Sequence, residues 1–232
     1  MMATIFTALQ DVQARIDTAC TAVGRNPAEV KLLAVSKTFP ASDIHALYQF
    51  GQRAFGENYV QELVNKCQVL AECKDIEWHF IGPLQSNKTR LVAENAAWVH
   101  AIDRLKIAER LSAQRPLHLP PLNICLQINV SGETSKSGLA ADQVIALAEQ
   151  VVKLPQLCLR GLMCIPESSH DSTILAQQFL VLVQLKEQLQ ARGLALDTLS
   201  MGMSNDLEPA IAAGSTLVRI GSAIFGQRHY SS

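Results

Sequence analysis

Lys37 closes the apolar run Leu32-Leu33-Ala34-Val35, so a buried strand delivers one ammonium group to its C-terminal tip. Lysine is rarely fully buried, and desolvation loosens its proton and leaves a nucleophile toward carbonyls. Lys37 is therefore the first candidate for Schiff-base chemistry. Far along the chain, Ser200-Met201-Gly202-Met203-Ser204-Asn205 and Arg219-Ile220-Gly221-Ser222 combine glycines, hydroxyls and helix starts whose N–H groups suit a phosphate. An amine and a phosphate cradle in one chain point to an aldehyde that carries a phosphate. Each piece alone has a plainer explanation: a lysine snorkelling from a strand end to a carboxylate, and turns that merely cap helices.

Other residues could complete such a site. Arg219, in Leu217-Val218-Arg219-Ile220, keeps its charge under any condition. Pointing inward, it could donate to a pyridine nitrogen and keep that nitrogen unprotonated, or it could sit in an interior ion pair. Asn58, at the end of Gly56-Glu57-Asn58, is placed to bond a ring hydroxyl. His79, in Glu77-Trp78-His79-Phe80, reads as a base or as a core histidine with one satisfied nitrogen. The run Ser131-Gly132-Glu133-Thr134-Ser135-Lys136-Ser137-Gly138 reads as a lid with a cationic tip at Lys136.

These residues need a scaffold that brings strand ends together. From residue 25 onward, short apolar runs alternate with amphipathic segments, the pattern of parallel βα units. Strands are expected near 32–37, 54–58, 76–82, 97–102, 123–130, 159–165, 198–202 and 217–221. Helices are expected over 41–50, 59–71, 88–95, 104–114, 140–153, 174–192 and 206–213, the last with Ser204 or Asn205 as N-cap. An extra N-terminal helix over 5–23 precedes the first strand and stops at Gly24-Arg25-Asn26-Pro27. Eight repeats point to an α/β fold closed as a (β/α)8 TIM barrel. A doubly wound open sheet shares the alternation, but its dinucleotide fingerprint is missing after the first strand. In a barrel the strand C-termini form the site, and Lys37, Asn58, His79, Ser200 and Arg219 all fall at or near strand ends.

With 232 residues and no linker or low-complexity stretch, residues 1–232 read as a single domain. A net charge of −1 gives no attraction to nucleic acid or an anionic membrane. The N-terminus lacks the pattern of a secretory signal and no apolar run reaches membrane-span length, so a cytoplasmic location is expected. The six cysteines form no CxxC pair and read as reduced packing thiols rather than disulfides or a metal site.

The segments Leu33-Ala34-Val35-Ser36-Lys37, Phe55-Gly56-Glu57-Asn58-Tyr59-Val60-Gln61-Glu62, 78–88 from Trp78 to Lys88, Ser135-Lys136-Ser137-Gly138, Arg160-Gly161-Leu162-Met163, Ser200-Met201-Gly202-Met203-Ser204 and Val218-Arg219-Ile220-Gly221 closely resemble the pyridoxal phosphate homeostasis (YggS-like) family. The resemblance runs nearly the whole chain in order. It implies a fold-type III pyridoxal 5′-phosphate barrel similar to the N-terminal domain of alanine racemase, with Lys37 holding the cofactor as an internal aldimine. By the same resemblance Ser204, Gly221 and Ser222 contact the phosphate, and Arg219 faces the pyridine nitrogen. Asn58, Met201 and His79 line the ring pocket, and Lys136 modulates exchange. Ser222 stands where relatives often have Thr, which keeps the hydroxyl.

The resemblance further implies a protein that binds, buffers and hands over pyridoxal phosphate in vitamin B6 homeostasis, with no catalytic residue of its own. Pyridoxal phosphate-dependent apoenzymes would be the recipients, and the chain would be a monomer or weak dimer. Racemisation needs acid–base groups on both faces of a substrate, and only Gln227-Arg228-His229-Tyr230-Ser231-Ser232 follows Gly226, so the second domain that completes a racemase is not expected. The competing readings are a weak racemase, decarboxylase or lyase using the same cofactor, and a cofactor-free Schiff-base aldolase.

Overall fold

The computed structural model describes residues 2–132, 137–167 and 171–226. The chain begins with α1 (Met2–Ala22) and then alternates strictly: β1 (Lys31–Val35), α2 (Ala41–Gln49), β2 (Ala54–Glu57), α3 (Val60–Val69), β3 (Glu77–Phe80), α4 (Thr89–Asn95). It continues through β4 (Trp98–Ile102), α5 (Leu105–Gln114), β5 (Leu122–Ile128), α6 (Val144–Val151), β6 (Leu157–Cys164), α7 (Ser172–Ala191), β7 (Thr198–Ser200), α8 (Leu207–Ala212), β8 (Leu217–Ile220) and α9 (Ser222–Phe225). All eight strands are parallel, in chain order. The sheet closes where β1 pairs with β8, Lys31 opposite Leu217 through Ala34 opposite Ile220.

Closure follows from strands that are apolar on both faces. In β1, Leu32 and Ala34 pack outward with the helices, whereas Leu33 joins Ala54 and Leu217 in a separate inner cluster. A second inner cluster gathers Trp98, Ala101, Cys125 and Met163. The helix ring seals the outer layer. Because α9 has only four residues, α1 fills the vacant helix position, packing on α2, α8 and α9. Its buried residues Ile5, Val12, Ile16, Ala19 and Cys20 lie on one helical face.

The eight strands and the N-terminal helix stand where the residue pattern puts them. The strand ends do not: β1 stops at Val35, so Lys37 lies in the following turn and is half-buried, not at the tip of a buried strand. The cause is local. Ser36 N–H still bonds the Gly56 carbonyl, but Thr38 turns to φ 69° and Phe39 N–H closes back on the Ser36 carbonyl. The N-cap of α8 is Asp206 rather than Ser204 or Asn205, because its carboxylate accepts the Met203 N–H at 2.5 Å and ties the turn shut. No helix among the described residues is long and apolar enough to cross a membrane. All six cysteines are free, and burial pushes the Cys67 and Cys164 thiols up to about 12, so they stay protonated as packing groups.

Candidate functional site

The β1–β8 seam sets the turn that carries Lys37 beside the loop that follows β8. Gly221, just past β8, sits against β1, where a Cβ would come within 3.2 Å of the Val35 carbonyl. Phe39, two residues after Lys37, stacks on Phe225 of α9 at 5.0 Å. Across the β7–β8 seam, Ser204 and Ser222 face each other with hydroxyl oxygens 3.5 Å apart. Their backbone N–H groups carry no hydrogen bond among the described residues. Two hydroxyls and two unspent donors at one point suit an anion. Gly202 makes this loop possible: at φ +98°, a side chain there would be strained, and its Cβ would lie 2.7 Å from that of Ala210. From outside, Arg15 of α1 pairs with Glu208 at 2.9 Å and donates to the Ser204 carbonyl at 3.1 Å, fixing the loop from behind.

Arg219 is buried in β8 and tied on several sides. Its guanidinium donates to the Ser200 carbonyl at 2.6 Å, the Ser200 hydroxyl at 2.8 Å and the Cys164 carbonyl at 2.7 Å. Five N–H groups against three such bonds leave donors over for a ligand. Ser200 then leads into a chain of buried groups. The His100 Nδ1 lies 2.8 Å from the Ser200 hydroxyl, His100 Nε2 lies 2.8 Å from His79 Nδ1, and His79 Nε2 lies 2.6 Å from Glu77, which pairs with Lys31.

Every proton in this chain can be assigned. Burial opposes charge on Glu77, but His79 and Lys31 outweigh it and hold the carboxyl down at about 2. An ionised Glu77 only accepts, so His79 Nε2 carries a proton. Burial keeps His79 neutral, against the pull of Glu77, so its Nδ1 accepts from His100 Nε2. Burial, reinforced by His79 and Arg219, keeps His100 neutral as well, so its Nδ1 accepts from Ser200. The Ser200 oxygen is then left to accept from Arg219. The chain is polarised from the cation at β8 to the carboxylate at the N-terminal end of β3. It fixes both tautomers, and it locks Arg219 in place.

This assignment predicts an acid-labile fold. Unfolding exposes His79 and His100 to their ordinary value of 6.5, so below about 6.5 the unfolded state binds protons that the folded state refuses. Glu57 runs the other way, because burial, against Lys66 and Ser36, raises its folded value to about 7 from an ordinary 4.5. Two groups against one leave stability falling on acidification, by up to about 1.4 kcal/mol per pH unit for each net proton. Urea midpoints measured from pH 6.5 down to 5 check this. A flat or rising profile would show that the pair does not fold neutral.

Of the expected site residues, Ser204 faces Ser222 across the β7–β8 seam, Gly221 sits against the end of β1, and Lys37 lies in the turn that follows β1. Met201 is fully buried directly after β7, in the apolar layer with Leu199 and Val218, and Arg219 is buried in β8 against Ser200. Asn58 follows β2, and its side-chain oxygen is buried with no hydrogen-bond partner among the described residues. His79 is set deeper, with both ring nitrogens engaged. Lys136 lies outside the described residues. Sequence reasoning missed His100 and Arg15, placed Glu57 at a strand end without its partner Lys66, and gave Glu77 no role. Strand register could have exposed His100, because β3 and β4 are neighbours and pair His79 with Trp98, the residue two before His100.

The fold and site define the barrel class of the alanine racemase N-terminal domain: residues 8–229 match that family description. A solved alanine racemase of Clostridium difficile 630 superposes with a TM-score of 0.77 at 13% identity, covering 99% of this chain and 58% of that one, and shares the fold. Within this class the chain belongs to the pyridoxal phosphate homeostasis protein family. It is 56% identical to the Pseudomonas aeruginosa member over 231 residues, covering 100% of this chain and 99% of that protein. The solved structure of PipY from Synechococcus elongatus, with pyridoxal phosphate bound, superposes with a TM-score of 0.80 at 36% identity, covering 91% of this chain and all of PipY.

Proposed function

We propose that this chain binds pyridoxal 5′-phosphate at the C-terminal rim of its barrel, and holds and hands on the cofactor rather than turning over a substrate. The carrying observation is the β1–β8 seam, which sets the Lys37 turn against the loop of Gly221 and Ser222. The residues present fit the group. Lys37 anchors the aldehyde, Ser204, Gly221 and Ser222 hold the phosphate, Arg219 donates to the ring nitrogen, Asn58 meets the ring hydroxyl, and Met201 backs the ring pocket from the apolar layer. His79 acts from beneath, by orienting Arg219 through His100 and Ser200. When bound, the cofactor supplies a carbonyl that an amine captures reversibly and a ring that draws electrons from an attached group.

The arrangement supports carriage over turnover. An arginine at the ring nitrogen keeps that nitrogen unprotonated and weakens the ring as an electron sink. His79 and His100 spend all four ring nitrogens on the buried chain, so neither is available as a general base. The name of the Pseudomonas aeruginosa relative favours the same reading, and the ligand of PipY supports the choice of cofactor. The cytoplasm and its pyridoxal phosphate-dependent apoenzymes are the corresponding setting and recipients.

Two measurements test this. The purified protein mixed with pyridoxal phosphate is expected to show a visible band that borohydride bleaches, with the adduct mapped to Lys37. A protein that stays colourless removes the cofactor reading and leaves the aldolase one. In deuterated water, alanine and other amino acids are expected to keep their α-protons over hours. Fast exchange that depends on Lys37 would make the protein an enzyme of the racemase type instead.

A further inference from the structure

Behind the Lys37 turn, an ion cluster is embedded in the layer between the barrel and α3. The Glu57 and Ser36 side chains alternate outward from β2 and β1, on the face where Ala34, Phe55 and Leu63 form the apolar layer. Glu57 Oε1 accepts from the Ser36 hydroxyl at 2.6 Å and from the Lys66 ammonium at 2.8 Å. The same ammonium donates to the Ser36 carbonyl at 2.9 Å and to Glu62 Oε2 at 3.0 Å. That Glu62 oxygen also accepts the Thr38 N–H at 2.7 Å. Lys66 thus spends its three donors on three acceptors, and the residues on both sides of Lys37 end on this one cluster.

Stability alone does not account for the cluster. Buried ion pairs of this kind are commonly replaceable by apolar groups at no loss, and here Glu57 Oε2 is buried with no partner among the described residues. What the cluster does is hold an unfavourable backbone. Thr38 is β-branched and sits at φ 69°, a conformation such residues avoid. The bond from its N–H to Glu62, and the grip of Lys66 on the Ser36 carbonyl, define the turn from which the Lys37 side chain leaves.

We propose that Lys66, Glu57 and Glu62 are positioning residues for Lys37, holding its amine in the geometry that captures a carbonyl; this rests on the reading of Lys37 as the covalent anchor. None of the three is placed in the pocket itself. Their loss acts on the amine and leaves the contacts to ring and phosphate in place.

The test separates those two parts with two ligands. Pyridoxal 5′-phosphate reports anchor and pocket together, whereas pyridoxine 5′-phosphate, an alcohol in place of the aldehyde, reports the pocket alone. Two variants of the full chain are used: Glu62→Ala, which alters a half-exposed residue, and the double variant Glu57→Gln with Lys66→Met, which removes the buried charges together. In both, the rate at which pyridoxal phosphate forms the borohydride-reducible linkage is expected to fall about 10-fold, as for a misplaced reacting group. Affinity for pyridoxine phosphate is expected to stay within about twofold. An unchanged linkage rate in Glu62→Ala overturns the proposal, and so does an equal weakening of both ligands, which would mean general damage to the pocket. If the unmodified protein forms no reducible linkage at all, the anchor reading fails and the proposal with it; the other two results leave that reading standing.

Discussion

Lys37→Ala is expected to abolish the borohydride-reducible linkage and to leave the protein folded. The side chain leaves a turn beyond the end of β1, and it is half-buried. The hydrogen bonds that shape this turn are made by the backbone of Ser36, Thr38 and Phe39, by the Ser36 hydroxyl and by Lys66, all of which the variant keeps. Truncating a side chain of this kind costs within about 1 kcal/mol, a shift of roughly 2–4 °C in the thermal midpoint for a chain of this size. The loops proposed to hold the phosphate follow β7 and β8, away from the substituted turn in sequence, so weak and freely reversible retention of pyridoxal phosphate is expected to survive. Mass spectrometry after borohydride reads the result directly. An adduct that persists on another lysine would move the anchor elsewhere, and a variant that unfolds would make Lys37 a structural residue.

Eight strands are legible in this chain because a barrel strand is buried on both faces and therefore appears as an unbroken apolar run. Their C-terminal limits are not, for a related reason. The rim is where side chains turn polar, so Lys37, Asn58 and Gly82 extend the apparent runs past the last ladder bond, and only backbone dihedrals such as that of Thr38 reveal the break. Short elements escape for want of periodicity: α9, with four residues, shows in the sequence only as a turn after Gly221.

Legibility of the site divides along the same line. Lys37, Ser204, Gly221, Ser222, Asn58 and Arg219 stand out locally, as polar residues and glycines following apolar runs. The groups that orient them are remote partners. Arg15 reaches the Ser204 carbonyl across 189 positions, and His100 reaches Ser200 across 100, which no local pattern encodes. Even Lys66, nine positions from Glu57, looks like one more solvated lysine on an amphipathic helix until the strand and helix are packed. The residues that touch a ligand are chosen by type, which a sequence displays. The residues that hold them are chosen by place, which only the fold displays.

Gly161→Ala is expected to cost about 3 kcal/mol or more, a large share of the roughly 5–15 kcal/mol by which a typical domain is stable. Gly161 lies in β6 opposite Thr198 of β7, and a Cβ there would sit 1.7 Å from the Thr198 carbonyl oxygen and 2.6 Å from its carbon. The obstacle is backbone, so no rotamer change relieves it, and β7 must move out by more than an ångström. That motion opens the pairing of Gly161, Leu162 and Met163 with Thr198, Leu199 and Ser200, which is all of β7, the shortest strand in the barrel. It also reaches the site. Ser200 carries the hydroxyl that joins His100 to Arg219, Arg219 is anchored to the Cys164 carbonyl at the end of β6, and Met201 follows at once. Separating β6 from β7 therefore pulls the two supports of the guanidinium apart. Urea unfolding and pyridoxal phosphate retention are expected to fail together in this variant, in contrast with Lys37→Ala, where the linkage fails alone. A Gly161→Ala protein within about 1 kcal/mol of the parent would show that β7 is free to shift and that the close approach does not hold the barrel at this seam.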